Sequence, residues 1–495
     1  MVQTLKPYPQ FYCFFADAIR NFTAFLRIYL YNIQLCISME RKIDKVLRDW
    51  CRQDSHKALL LRGPRQVGKS YAIRRLGAEY YNSIIEMNFE TNPEFKAIFE
   101  GDLSADSIYE KINFAFHGCS LEGALLFLDE IQSCKNAFSA LKPLVEDGRC
   151  DIACSGSVLS EIVGDIGFIP VGSVDLKYMG PMDFEEFLWA MGFSSTQTET
   201  IHKHISDMEP FETFILRQLN DLFKRFLVIG GMPASVSAYA RTHMYTDSYN
   251  EQEYILKLLS MDIEKYISDQ TDKVRINQCL ESIPRQLSRE KNASFLYSDV
   301  LIKSKYGQRE YGSAIKWLDG AGVIDLCYNI EEISEPFEIK TDGNIFKIYM
   351  KDTGLLVHKL GPAVANGIVE GDFTINNGAV IENSILETLI RKGYKVHYYS
   401  SSTRRMELDC VFNYNGRLAV MEIKSGRKKS AKSLNKALVE DKAIDVAIKV
   451  SDSNISIDEN GVYHYPLFGP SFFDDCQVLE LSPMNYLEDL KARLS

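Results

Sequence analysis

The sequence lacks several features that would place it in a specialised class of protein. Its 11 cysteines form no C-x-x-C pair, and none lies near a histidine at the spacing of a zinc site. Uncharged apolar runs are too short to span a membrane, and no segment is of low complexity. An excess of positive charge is lacking as well, since 67 acidic residues against 56 Lys and Arg give a formal net charge of −11. These absences argue against a disulfide scaffold, an integral membrane protein and a uniformly basic nucleic-acid binder, and they indicate a cytoplasmic protein with reduced thiols.

Residues 1–38 differ in character from the rest of the chain. They are rich in aromatic and aliphatic side chains, but Asp17, Arg20 and Arg27 interrupt the apolar run. This pattern fits neither a spanning helix nor a cleavable signal peptide. Our hypothesis is that Met39 is the biological start and that the preceding residues are a mis-called extension. An amphipathic helix at a membrane surface is the alternative.

A complete G-x-x-x-x-G-K-[ST] motif stands between an apolar run and a predicted helix that stops near Gly77. The motif consists of Gly63, Pro64, Arg65, Gln66, Val67, Gly68, Lys69 and Ser70. Glycines let such a loop wrap around phosphates with its N–H groups pointing inward. Lys69 is expected to reach the β- and γ-phosphates, and Ser70 is expected to hold Mg²⁺. We therefore predict that the chain binds ATP with Mg²⁺, although the loop does not distinguish ATP from GTP.

Two further apolar runs end in polar residues that suit the same site. The run Ala124–Leu128 is followed by Asp129, which would coordinate Mg²⁺, and by Glu130, which would polarise the attacking water as general base. The next run ends at Ser155, which would lie near the γ-phosphate; an ordinary strand-to-loop turn is the alternative there. Alternating strands and helices predict a parallel, doubly wound α/β sheet with the site at the carboxyl ends of its strands.

The motifs described so far resemble those of prokaryotic AAA-type ATPases with a C-terminal domain of unknown function. The resemblance covers nearly everything after Met39 and continues at residues 180–187, 230–233 and 351–356. It implies an AAA-like P-loop NTPase core that hydrolyses ATP, and subunits that assemble into rings. The family usually has Gly-Arg where this chain has Gly172 and Ser173. An arginine there would act as a γ-phosphate sensor or finger, so its absence puts fast hydrolysis and ring assembly in doubt.

The middle of the chain is predicted to be mainly helical. A helix at residues 311–318 and a strand at residues 323–327 suggest a winged-helix module, which can read DNA with its second helix. That helix region carries Arg309 and Lys316, but Glu310 and Asp319 offset their charge. A scaffold role that couples neighbouring domains is therefore the favoured interpretation, and DNA reading is the alternative.

A second cluster of chemically capable residues is predicted near the C-terminus. Residues 405–412 alternate like a strand, with Asp409 on one face, and a turn leads to a return strand that carries Glu422 and Lys424. Glu382 lies on the apolar side of a predicted upstream helix and needs a partner. The hairpin can bring Asp409, Glu422 and Lys424 together, and Glu382 can complete the cluster.

This order of helix, aspartate, hairpin and Glu-x-Lys resembles the PD-(D/E)XK nuclease superfamily, which has a restriction-endonuclease-like α/β fold. The resemblance implies a second Mg²⁺ site at Asp409 and Glu422, joined by Glu382 through water, with Lys424 as a catalytic residue. Basic residues nearby would contact a DNA backbone. They are Arg404, Arg405, Arg427, Lys428, Lys429 and Lys432.

These patterns predict four segments and two alternative functions. The segments are the extension 1–38, an ATPase domain 39–205, a helical lid and winged-helix region 206–345, and a nuclease-like domain 346–495. In the first interpretation, an ATPase controls a C-terminal domain that binds or cleaves DNA. In the second, the chain is a nucleotide-dependent switch whose C-terminal domain is catalytically inactive and serves for docking. A homo-oligomer is compatible with both.

Overall fold

The computed structural model describes residues 39–53, 57–116, 120–156, 172–289, 294–301, 306–373, 378–425 and 432–476. The predicted extension 1–38 lies outside the described residues, as do Arg427, Lys428 and Lys429 of the predicted basic patch. Within the described ranges, no helix combines the length and the apolar character needed to cross a membrane.

The N-terminal part of the chain is built on a parallel sheet of five strands, in the order β2-β3-β4-β1-β5. The strands are β1 Ala58–Arg62, β2 Ser83–Asn88, β3 Ala124–Asp129, β4 Asp151–Gly156 and β5 Val174–Tyr178. Strand β3 is buried along its whole length, as expected for a strand covered on both faces. The predicted parallel α/β sheet is therefore confirmed.

Helices flank this sheet and bury apolar side chains against both of its faces. They are α1 Lys42–Cys51, α2 Lys69–Tyr80, α3 Ala105–Ala115 and α4 Lys135–Asp147. Helix α2 continues three residues past Gly77, where the sequence predicted its end. A Cβ atom on Gly77 would lie 2.5 Å from Ile84, so this glycine permits close packing of helix on strand and does not terminate the helix.

The middle of the chain is helical, as predicted. Its helices are α5 Phe184–Ala190, α6 Ser195–Ser206, α7 Thr213–Ile229, α8 Pro233–Thr242, α9 Tyr245–Tyr266, α10 Gln270–Leu287 and α11 Gln308–Gly320. Capping boxes at Asp183 and Ser194 mark the starts of α5 and α6. Short 3-10 segments lie at Pro93–Phe99, Ile131–Ser133, Tyr297–Asp299, Phe337–Lys340 and Gly469–Phe472.

The C-terminal part is a mixed sheet of eight strands, in the order β12-β13-β11-β10-β9-β8-β6-β7. Its strands are β6 Ile324–Ile330, β7 Thr341–Met350, β8 His397–Ser401, β9 Met406–Tyr414, β10 Arg417–Ile423, β11 Val446–Ser451, β12 Ser456–Ile457 and β13 Tyr463–Pro466. The accompanying helices are α12 Thr353–Leu360, α13 Pro362–Glu370, α14 Ala379–Arg391 and α15 Lys432–Glu440.

Antiparallel pairs of consecutive strands organise this second sheet, among them β9–β10 and β6–β7. The predicted hairpin β9–β10 is confirmed, and it closes through Asn415 (φ 51°) and Gly416 (φ 81°), both in the left-handed region that tight hairpin turns need. The hairpin β6–β7, which we predicted as part of a winged helix, joins the same sheet because β6 pairs with β8. The predicted boundary at residue 345 thus lies inside strand β7.

Candidate nucleotide site

The phosphate-binding loop connects the end of β1 to the start of α2 and bends sharply at its glycines. A Cβ atom on Gly63 would lie 1.9 Å from the carbonyl oxygen of Met179, so only glycine fits between the loop and the chain after β5. Gly68 has φ 95°, a left-handed conformation that glycine adopts readily, and it caps helix α2. The positive end of α2 consequently faces the inside of the loop, where it favours a bound anion.

Lys69 is buried at the start of α2 and turns back onto the loop. Its Nζ atom donates to the carbonyl oxygens of Gly63 at 2.9 Å and Pro64 at 2.7 Å. Burial lowers the pKa of Lys69 to about 8; the negative charge of Glu130 acts against this shift, and the positive charge of Arg65 adds to it. A phosphate is a stronger partner for this ammonium group than neutral carbonyls are.

Asp129, at the end of β3, is the centre of a network that joins three neighbouring strand ends to the loop. The hydroxyl of Ser70 donates to Oδ1 of Asp129 at 2.9 Å, and Nδ2 of Asn88 donates to Oδ2 at 2.8 Å. The hydroxyl of Ser155, at the end of β4, also donates to Oδ1. Because Ser70 and Asp129 are already in contact, one Mg²⁺ ion can take ligands from both.

Glu130 follows directly after Asp129 and has an unusual backbone conformation. Its φ is 53°, in the left-handed region that residues other than glycine rarely adopt, and such residues are concentrated at functional sites. Its backbone N–H donates to Oγ of Ser155 at 3.3 Å, and Nε2 of Gln132 donates to its carboxylate. The structure thus brings Lys69, Asp129, Glu130 and Ser155 to one edge of the sheet.

Arg41 holds the loop in place through hydrogen bonds, and the sequence alone did not identify it. Its guanidinium donates to the carbonyl oxygens of Val67 at 3.0 Å and Gly180 at 2.9 Å, and to Oε1 of Glu186 at 2.9 Å. The side chain is buried. Segment 180–187 therefore positions the loop through Arg41. Arg41 stands just before helix α1, and no local pattern pointed to its role.

Two other sequence motifs meet each other beside a cavity that also adjoins the loop. Asp352 accepts from the backbone N–H groups of Gly231 at 2.6 Å and Leu355 at 2.9 Å, and burial raises the pKa of its carboxyl group. A Cβ atom on Gly354 would lie 2.6 Å from Cα of Gly230. The glycines of both motifs thus allow close packing of the backbones around a buried aspartate.

Ser173 lies at the beginning of β5, far from the loop. The backbone N–H of Ala58 donates to its carbonyl oxygen at 2.9 Å, and the pairing then continues from Ala58 with Val174 to Arg62 with Tyr178. Residue 173 is therefore at the amino edge of the parallel sheet, and the loop is at the carboxyl edge. An arginine at this position would not sense the γ-phosphate in the same chain, contrary to our first interpretation.

Comparison with known families agrees with this geometry. Residues 55–188 match a family described as "AAA domain". The N-terminal domain has a P-loop, AAA-like α/β fold. Two families described as domains of unknown function, DUF8612 and DUF4143, match residues 220–363 and 377–468. The first of these runs from within α7 through the β6–β7 hairpin, and the second lies within the predicted nuclease-like segment 346–495. The AAA-type domain is thus followed by regions whose families carry no assigned function.

Known proteins add little beyond these families. No curated protein matches the chain. Among solved structures, PCH-2 of C. elegans is 15% identical, with a TM-score of 0.26, 41% of this chain covered and 63% of that chain covered. The Aeropyrum pernix ORC1 protein, solved in complex with DNA, is 14% identical, with a TM-score of 0.27 and coverages of 67% and 91%. This chain therefore spans less than two thirds of the PCH-2 chain.

A second candidate site lies on the C-terminal sheet, around a lysine that the sequence did not single out. The ammonium group of Lys347, on β7, lies 2.9 Å from Oε1 of Glu382 and 3.4 Å from Oε1 of Glu407. The hydroxyl of Tyr349 also donates to Oε1 of Glu382, at 2.6 Å. Burial opposes the charge of Lys347, but the nearby carboxylates dominate and raise its pKa. Lys347 is thus the partner that the carboxylate of Glu382, on the apolar side of its helix, was expected to need.

The predicted hairpin residues lie close to this lysine. Asp409 accepts from the backbone N–H of Ile423 at 2.7 Å, and Glu422 lies 2.7 Å from Lys424. Burial, followed by the charge of Glu382, raises the pKa of Asp409 to about 7. In the part of the chain that the structure describes, no three His, Cys, Asp or Glu side chains form a group that could hold a metal ion. The second Mg²⁺ site at these residues stays a prediction.

The described part of the predicted basic patch is partly neutralised. Nη1 of Arg404 lies 3.0 Å from both carboxylate oxygens of Asp441. Lys432 is exposed at the start of α15. One of the predicted phosphate-binding cations is thus already paired with a carboxylate.

Proposed function

We propose that this chain is an ATP-binding protein and a Mg²⁺-dependent ATPase. The observation that carries the proposal is the convergence of Lys69, Ser70, Asp129 and Glu130 at the carboxyl edge of the AAA-type sheet. This edge combines a phosphate cradle with a metal-binding pair and a carboxylate base. ATP is preferred over GTP by the family resemblance alone.

Each residue has a distinct task in this proposal. The loop N–H groups and Lys69 bind the β- and γ-phosphates, while Ser70 and Asp129 hold Mg²⁺. Bound Mg²⁺ would supply charge neutralisation on the phosphate oxygens. Glu130 orients a water molecule and takes its proton, and Ser155 orients Asp129 and the backbone of Glu130.

Phosphate release tests the ATPase directly. We expect turnover of Mg·ATP by the full chain and its loss in Lys69→Ala, because that variant removes the cation that binds the phosphates. Lys142→Ala is the matched control, since Lys142 is an exposed lysine of the same domain, 3.8 Å from Glu146. Equal ATP affinity and turnover in wild type and Lys69→Ala would refute the proposal.

A second proposal concerns the C-terminal domain, for which we favour docking over catalysis. In a nuclease, the carboxylates of the cluster would bind a metal ion. Here the buried ammonium group of Lys347 lies against Glu382 and Glu407, and Lys424 pairs with Glu422. These internal cations already compensate the carboxylates. The domain would then bind a partner, with DNA as one candidate, under the control of the ATPase.

A nuclease assay separates docking from cleavage. We expect the full chain to leave single- and double-stranded DNA and RNA intact with Mg²⁺ or Mn²⁺, both with and without ATP. Metal-dependent cleavage that disappears in Asp409→Ala would overturn the docking proposal and restore the nuclease interpretation. Homo-oligomer formation and a cytoplasmic location stay predictions.

A further inference from the structure

Arg65, the third residue of the phosphate-binding loop, has a side chain held by acidic and phenolic partners. Its Nη2 atom lies 3.1 Å from Oε1 of Glu90, and its Nε atom lies 3.1 Å from Oδ2 of Asp262 on α9. The hydroxyl of Tyr266 also accepts from Nη2. Burial opposes its charge, but Asp262 and then Glu130 outweigh burial and raise the pKa of Arg65. The guanidinium is therefore a permanent cation held next to the loop.

This cation lies on the side of the loop that faces the catalytic carboxylates. Glu90, its partner, donates a backbone N–H to Oδ1 of Asn88 at 2.9 Å, and Asn88 in turn binds Asp129. The charges of Arg65 and Glu130 interact, as do those of Arg65 and Lys69. Glu90, which binds Arg65, follows the end of β2. Strand β2 is adjacent to β3, whose end would hold Mg²⁺ and the attacking water.

The surroundings of Arg65 leave room for its side chain to move. A cavity of about 350 Å³ adjoins Pro64, Arg65 and Gln66 and is lined on its other side by α9, including Asp262 and Tyr266. The side chain itself is 28% exposed. The guanidinium therefore borders open space and is not enclosed by the core.

We propose that Arg65 is a catalytic residue, whose guanidinium leaves Glu90 and Asp262 and contacts the γ-phosphate when ATP is bound. The inference rests on the proposed ATPase function. During hydrolysis, water attacks the γ-phosphorus, its proton passes to Glu130, and the bond to the β–γ bridging oxygen breaks, so that this oxygen keeps the electron pair on ADP. Arg65 transfers no proton and stabilises charge on the γ-phosphate oxygens. It would supply in the same chain what an arginine at position 173 cannot.

Transition-state binding is the property that tests this role. In the full chain, Arg65→Ala should lower kcat about 10²- to 10³-fold. It should weaken binding of ADP with Mg²⁺ and aluminium fluoride, which mimics the transferring phosphoryl group, by about the same factor. Binding of ADP with Mg²⁺ alone should change less than about threefold, because ADP lacks the γ-phosphate. Arg65→Lys should recover part of kcat, since it keeps a cation.

Arg74→Ala is the matched control. Arg74 is an exposed arginine on α2 that pairs with Glu86 at 2.6 Å, so its removal should leave all these values unchanged. If Arg65→Ala weakens ADP and ADP with aluminium fluoride equally, Arg65 only supports the loop and the inference is wrong. Should Arg65→Ala fail to fold, Asp262→Asn provides the second test. That change removes the negative charge that pairs with Arg65, so the guanidinium can leave position 262 more easily and contact the γ-phosphate. The KM for ATP should therefore fall; an unchanged or raised KM would overturn the inference.

The outcomes also separate this inference from the proposed function. Absence of ATP turnover in wild type, together with unchanged nucleotide binding in Lys69→Ala, would refute the ATPase itself. Normal turnover in wild type and in Arg65→Ala would refute only the role of Arg65.

Discussion

Replacing Lys347 with methionine tests whether a protein cation holds the C-terminal cluster together. Methionine keeps most of the side-chain volume and removes the charge. The side chain of Lys347 is only 2% exposed, and it lies 2.9 Å from Glu382 and 3.4 Å from Glu407. Its ammonium group also lies 5.0 Å from the ring centre of Tyr398. The substitution therefore leaves at least one carboxylate in a largely dry environment without its cation.

The expected loss of folding stability in Lys347→Met depends on how exposed Glu382 and Glu407 are to water. Breaking a buried ion pair by removing one member typically costs about 3–5 kcal/mol. Glu382 is 21% exposed and Glu407 is 41% exposed, so water screens the second interaction substantially. We therefore expect the lower end of the range, about 3 kcal/mol. In a domain of this size, such a loss lowers the melting temperature by about 6–12 °C.

Thermal denaturation and hydrogen exchange together measure this effect. Because a chain of several domains need not unfold in one step, exchange of the peptides that contain β7 and β9 gives the local free energy of opening. Lys359→Met is the control: the side chain of Lys359 is 8% exposed, but its partner Glu281 is 72% exposed, so the loss should stay below about 1 kcal/mol. The double variant Lys347→Met/Glu382→Gln should recover at least part of the stability. Equal losses in Lys347→Met and Lys359→Met would refute the reasoning.

Three further substitutions test the nucleotide site and its support. Glu130→Gln should lower kcat by about 10²-fold or more and trap bound ATP, because it removes the base but keeps the side-chain shape; rapid-filtration assays would show this. Gly63→Ala should lower the free energy of unfolding by about 1–3 kcal/mol and weaken ATP binding, since the added Cβ would lie 1.9 Å from the Met179 carbonyl oxygen. Asp352→Ala should cost about 2–4 kcal/mol in thermal unfolding, because the N–H of Gly231 loses its acceptor and α12 loses its cap.

Each of these substitutions has a control in the same chain. Glu146→Gln changes an exposed glutamate of α4 and should leave turnover intact. Gly172→Ala adds a Cβ where no atom of the described residues lies within 4 Å, so it should lower the free energy of unfolding little. Asp269→Ala removes an exposed cap of α10 and should cost about 1 kcal/mol. Normal turnover in Glu130→Gln, or equal effects of a test variant and its control, would contradict the assigned role.

The local elements of both sheets could be predicted because each depends on residues close together in the chain. The loop motif between an apolar strand and a helix predicted the strand–loop–helix unit that we propose binds phosphate. The alternating run with a turn at Asn415 and Gly416 identified the β9–β10 hairpin. Gly77 was misread as a helix end, since its close packing against Ile84 is a contact between elements and leaves no local signal.

The residues that only the structure revealed act across long separations in sequence. Arg41 reaches Glu186, Lys347 reaches Glu382 and Asn88 reaches Asp129, and no local pattern links the members of these pairs. The placement of position 173 likewise depended on strand pairing. Periodicity places a side chain on a face, but the partner on that face is set by how elements pack.

By itself, the sequence determined that this chain has a phosphate-binding loop, a strand ending in Asp129 and Glu130, and a C-terminal hairpin with acidic and basic residues. Those features rest on backbone conformation and on short-range spacing. The tertiary structure decided which charges face each other. It placed Arg65 beside the proposed nucleotide site and Lys347 among the C-terminal carboxylates, because the position of a buried charge depends on every element that packs around it.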